Sequence, residues 1–258
     1  VEMDNDISLE RIDLQLLPGS EGVRLHSSNG EPKTITLNSG RLSVVDGTVD
    51  LENNDIVVLG GESRSLDVAN ATVRSWVDFE QDAPTTTGME SSDLFPFSDE
   101  HVGEIVIRSS APSTIGVTGS NLLDALRVES SVYIPTGSGP LTIAKFFVFG
   151  EFGAQVNLDS SSQLSLSDGS VLLRRGRGVL SRSPVFMGTS TVAYDLDDGT
   201  FTNRDRGFSI GTLISGNELP DAAGAVSDVI VLAGNRDASI NRVQLNKDVR
   251  VTRSVTIW

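Results

Sequence analysis

Ser39 to Leu51 reads SGRLSVVDGTVDL, and Ser161 to Leu173 reads SSQLSLSDGSVLL. The two stretches share seven positions at one offset of 122 residues (161 − 39): Ser39/Ser161, Leu42/Leu164, Ser43/Ser165, Asp46/Asp168, Gly47/Gly169, Val49/Val171 and Leu51/Leu173. In each, apolar residues alternate with polar ones up to Asp-Gly, then alternate again. A period of two marks a half-buried strand, and Asp-Gly is a tight-turn signal. The reading is strand, turn, strand, made twice.

Outward from the first copy the pattern repeats at short range. TITL, RLSVV, TVDL, DIVVL, SLDV and ATV follow one another through residues 34–73, separated by Gly, Asn and Asp. Asn38, Asn53, Asn54 and Asn70 fall at the predicted turns, where Asn tolerates a left-handed backbone. Residues 74–104 break the rhythm with an excursion carrying Trp76, Phe79, Phe95 and Phe97. Short strands resume at Ile105, pass a Gly/Pro/Ser turn at 135–140 and lead into the second copy. The division is an N-terminal strand segment at 1–33, one repeat unit at 34–155 and a second at 156–258. Strands this short and evenly spaced suit coils of about 20–25 residues. The expected fold is all-β, a right-handed parallel β-helix or solenoid built from two tandem divergent repeats. The alternative is two tandem β-sandwiches, which usually carry longer strands and more than the 5% aromatic residues present here.

Composition narrows the function. The net charge is −15, and the 17 Arg and 3 Lys are outnumbered by 22 Asp and 13 Glu. Phosphate backbones need a basic surface, so nucleic acid is not an expected partner. The chain has no Cys, which removes disulfides and thiolate metal sites. No apolar run approaches the roughly 18 residues of a membrane helix. Neither a G-x-S-x-G elbow nor H-E-x-x-H is present, and two His cannot build a histidine-rich metal centre. No enzyme activity and no cofactor are expected.

Further motifs carry a resemblance. Gly40–Val44 (GRLSV), Asn54–Val58 (NDIVV), Gly178–Arg182 (GVLSR), Val192–Tyr194 (VAY), Gly216–Pro220 (GNELP) and Val249–Ile257 (VRVTRSVTI) recur in one order. This order resembles the secreted parallel β-helix surface proteins of Bacteroidetes and their relatives. The resemblance covers most of the chain from residue 34. It implies an extracellular or cell-surface structural protein: a filament subunit, surface-layer piece or adhesin stalk. The alternative is a carbohydrate-binding or carbohydrate-active β-helix, with polysaccharide as its partner.

Four clusters bear on chemistry. Asp195, Asp197 and Asp198 form a weak calcium candidate, because the following Gly199 comes one place early for an EF-hand loop. Asp99, Glu100, His101 and Glu104 read as a polar loop before a metal or acid/base site. Arg174, Arg175, Arg177, Arg182, Arg204 and Arg206 make a basic patch, read as an outward face balancing nearby Asp or as a dock for an acidic surface. The fourth cluster is at the ends. Ile7, Leu9, Ile12, Leu14 and Leu16 alternate like a strand, as do Val249, Val251, Val255, Ile257 and Trp258. An uncapped solenoid end invites strand pairing. The expected partner is a second copy, joined head-to-tail through these two segments. An intramolecular cap is the competing reading.

Overall fold

The computed structural model describes residues 1–16, 22–38, 40–60, 64–76, 103–137, 139–195, 213–220, 224–232 and 243–257. Every strand pairing among them is parallel, and they contain almost no helix. The chain is a β-solenoid, and the sandwich alternative is excluded, because sandwiches are built from antiparallel sheets.

Each coil visits three faces in turn. On the first face Ile7, Ile35, Ile56, Ile105, Leu126, Phe147, Leu172, Val192, Val229 and Val255 stack in one column. On the second, Ile12, Leu42, Leu66 and Ile115 are aligned. On the third, Val23, Val49, Val73, Leu123, Ile143, Leu166 and Phe186 follow one another. Apart from the exposed Val255, these columns point inward and form one continuous core. Alternation explains the choice: in a strand every second side chain faces the same way, and in these three columns the aligned residues are aliphatic or Phe. The ladder runs unbroken across the two sequence units, with Val132 paired to Val156.

Coil length varies without disturbing this register. Ile35 to Ile56 and Ile105 to Leu126 are each 21 residues apart (56 − 35, 126 − 105). Ile56 to Ile105 takes 49 (105 − 56), and Val192 to Val229 takes 37 (229 − 192). The sequence excursion falls within the first of these two intervals, and its residues 77–102 lie outside the described residues.

The two copies of the opening motif both make strand, corner, strand, but at different corners. Leu42–Asp50 runs from the second face to the third through Asp46, which is left-handed (φ 57°). Leu164–Leu166 lies on the third face and Val171–Arg175 on the first, with Gly169 left-handed between them (φ 75°). Asp-Gly therefore turns a corner between faces; it does not close a hairpin. Its carboxylate has the same task in both copies. Asp46 accepts from Asn70 Nδ2 in the next coil at 3.1 Å, and Asp168 accepts from the Thr189 backbone N–H at 2.7 Å. Asn70 is itself left-handed (φ 50°), as expected for a turn Asn. Asn54 is a buried plug at another corner, donating to the Leu25 and Leu51 carbonyls and accepting from Lys33 N–H.

Candidate functional site: the two ends of the stack

At either end of the stack the inward columns are left partly uncovered. Ile7–Leu9 pairs through one edge with Thr34–Leu37, and Ile12–Gln15 through one edge with Leu42–Asp50. These strands form the chain's own first coil. Any contact with a second copy uses the opposite edge, which has no partner among the described residues. At the other end, Arg250–Ile257 pairs only with Ala225–Leu232 among the described residues. Val255 and Ile257 are 61% and 72% exposed, although Val229 and Val231 beneath them are buried. Leu9, in the same column as Ile257, is 39% exposed. Ile12, Leu14, Val249 and Val251 pack partly against the core, and Leu16 is half-buried. Trp258 lies outside the described residues.

The ends differ in charge. Residues 1–16 carry Glu2, Asp4, Asp6, Glu10 and Asp13 against Arg11. Residues 243–257 carry Lys247, Arg250 and Arg253 against Asp248. Arg253 pairs with the buried Asp228 at 2.6 Å. Arg250 and Glu2 are exposed and have no ionic partner among the described residues.

The sequence-predicted clusters separate. Asp195 forms an ion pair with Arg175 at 3.2 Å, which offsets its charge. Asp197 and Asp198 lie outside the described residues, as do Asp99, Glu100 and His101. Among the described residues no group of three or more acidic or His side chains is placed to hold a metal. The basic patch is not one surface. Arg175 balances Asp195 as expected, whereas Arg174 points into the solenoid, stacked between Phe149 and Tyr194. There its Nη1 meets Glu218 Oε1 at 2.8 Å and the Ile214 carbonyl at 3.0 Å. Both side chains are almost fully buried. Arg182 donates to the Leu158 carbonyl at 3.2 Å, and Arg204 and Arg206 lie outside the described residues. The Tyr194 hydroxyl is near Glu218 and Ser215 without a well-formed hydrogen bond to either, and burial pushes its pKa up.

Sequence reasoning missed a charged row on the outer side of the first face. Glu104 stacks above Asp55, and its Oε1 accepts from Arg127 Nε at 2.6 Å. Arg108 makes a two-pronged contact with Glu129 in the next coil. Burial pushes Glu104 up to about 7; Asp55 and Glu129 add to this, and Arg127 opposes it. Beside the row lies a second buried apolar cluster, Ala125, Phe146, Val148, Val171, Leu173 and Ala193. The run FFVF at 146–149 was its signal, because unbroken apolar sequence means a strand buried on both faces.

Comparison of the chain with protein-family models, with curated proteins and with solved structures returned no match. No helix among the described residues is long and apolar enough to cross a membrane.

Proposed function

We propose that the chain is a structural coil stack of an extracellular or cell-surface bacterial assembly, a filament, surface layer or adhesin stalk, without a catalytic role. The sequence resemblance to secreted β-helix proteins of Bacteroidetes points the same way. The observation that carries the reading is the continuous parallel coil stack, whose inward columns make one core through both repeat units. Sedimentation and negative-stain electron microscopy over a concentration series test it. End-to-end rods growing with concentration are expected; a monomer at every concentration overturns the assembly reading.

Polysaccharide binding is the second reading. It rests on Tyr133, whose exposed ring sits beside Asp159 with its hydroxyl donating at 2.7 Å. An exposed aromatic next to a carboxylate suits a sugar ring and its hydroxyls. A glycan panel with wild type and Tyr133→Ala decides it: binding lost in the variant supports this reading, and no binding by either removes it.

A further inference from the structure

We propose that the corner leading out of the third face binds an uncharged sugar chain, with the exposed Trp76 ring as its platform and Arg24 and His26, held by Glu52, as its hydrogen-bonding edge. This rests on the polysaccharide reading above and takes a surface separate from Tyr133, which lies on the second face.

Three coils build the surface. Arg24, Asp50 and Arg74 are directly paired rungs of one row. Two residues further on, His26 Nδ1 meets Glu52 Oε2 at 3.0 Å, and the Trp76 N–H donates to the Glu52 carbonyl at 2.9 Å. Leu25, Val73 and Ser75 are buried, whereas Arg24, His26, Arg74 and Trp76 are exposed. Strand side chains alternate between faces, so the exposed ones leave the coils outward. Neighbouring coils stand about 4.8 Å apart, so three of them present a patch about 10 Å tall, the size of a disaccharide. Trp76 is 61% exposed, and its flat amphipathic ring suits stacking on a pyranose.

Glu52 fixes the edge in advance. Its side chain is almost fully buried and holds both His26 and Arg24, the second at 3.6 Å. Glu52 is left-handed (φ 51°), as are Asp46 and Asn70. Asp and Asn adopt that conformation readily and Glu does not. The corner therefore keeps a carboxylate that reaches His26 at a cost to its own backbone. Donors fixed before binding lose little freedom on binding.

Charge selects the ligand class. Glu2, paired beside His26, joins Asp50 and Glu52 as a carboxylate, while Arg24, Arg74 and the His26 imidazole oppose them. Arg24 also lies 3.3 Å from Asp50, so the charges largely cancel within the patch. An anionic chain would meet the carboxylates, and a cationic one the guanidiniums. Sugar hydroxyls both donate and accept, so they use both kinds of group.

The chain holds two tryptophans, Trp76 and Trp258, so Trp258→Phe protein keeps Trp76 as its single reporter. Titration with cellohexaose, xylohexaose, mannohexaose and maltohexaose is expected to give, with at least one, a saturable fluorescence shift and protection from acrylamide quenching. Hexagalacturonate is expected to give neither. By calorimetry, Trp76→Ala should lose about tenfold or more in affinity, as aromatic anchors do, with an unchanged thermal midpoint because the ring is exposed. Glu52→Gln should lose several-fold. Binding that survives Trp76→Ala and is lost in Tyr133→Ala overturns this site and leaves the polysaccharide reading standing. Binding to hexagalacturonate alone overturns the uncharged class. No binding to any of these sugars overturns both the site and the polysaccharide reading.

Discussion

Two buried charges in this molecule answer to different tests. Glu104 is held out of water against Asp55, so its carboxyl keeps a proton up to about pH 7. Unfolded, it would lose that proton near its ordinary 4.5. Between these values the folded chain binds more protons than the unfolded one, so stability falls as pH rises from about 4.5 to 7 and then levels. The contribution is roughly 3 kcal/mol at most. Glu104→Gln should therefore flatten the pH dependence of the urea midpoint between pH 5 and 8. An unchanged slope would place the titrating group elsewhere. Arg174 and Glu218 form a buried ion pair in the core, 2.8 Å apart. Removing one leaves the other buried and alone, which costs about 3–5 kcal/mol. Arg174→Met and Glu218→Met are each expected to lose that much in urea unfolding, and the double variant to recover most of it. Additive losses would show that the two side chains do not act as a pair.

At the scale of the element, corners decide more than strands. Asp46, Asn70 and Gly119 (φ 71°) are left-handed residues of successive coils, and each touches the next. A Cβ on Gly119 would lie 2.0 Å from Asn70 Oδ1, whereas one on Gly153 (φ 78°) would meet nothing within 4 Å. Both substitutions to Ala bear the left-handed cost of about 1–2 kcal/mol. Gly119→Ala bears the collision as well, so its thermal midpoint should fall clearly below that of Gly153→Ala. Equal midpoints would mean that the corner column yields freely. The strands themselves were legible, because the alternation of Leu42, Val44 and Val49 reports period and burial directly. Which face each strand joins was not legible. Asp46-Gly47 and Asp168-Gly169 are the same words at two different corners, since local sequence specifies a bend and only the neighbouring coil specifies its place. Arg174 shows the same limit. Nothing beside it announces Glu218, 44 residues away along the chain.

Across the whole molecule, each coil touches mainly the coils above and below, so damage should remain regional. Leu42→Asp and Leu164→Asp each put a charge into a fully buried column position. Hydrogen exchange is expected to quicken around residues 12–70 in the first variant and around 141–186 in the second. Uniform loss of protection in both would mean that the stack melts as one cooperative unit. The ends are where the molecule was least legible. Alternation in Ile7 to Leu16 was correctly a strand signal, but whether that strand starts a coil or leaves the molecule depends on pairing with residues 34–50.

The long interval between Ile56 and Ile105 has a consequence for how such a chain changes over generations. Closing a loop of twice the length adds only about 0.6 kcal/mol, and the ladder resumes in step on the far side, Ile105 on Ile56. A column that accepts Ile, Leu, Phe and Val at successive rungs asks for bulk and not for identity. Insertions and aliphatic exchanges are therefore both cheap, and descendants of one ancestor can keep every rung while losing recognisable spelling.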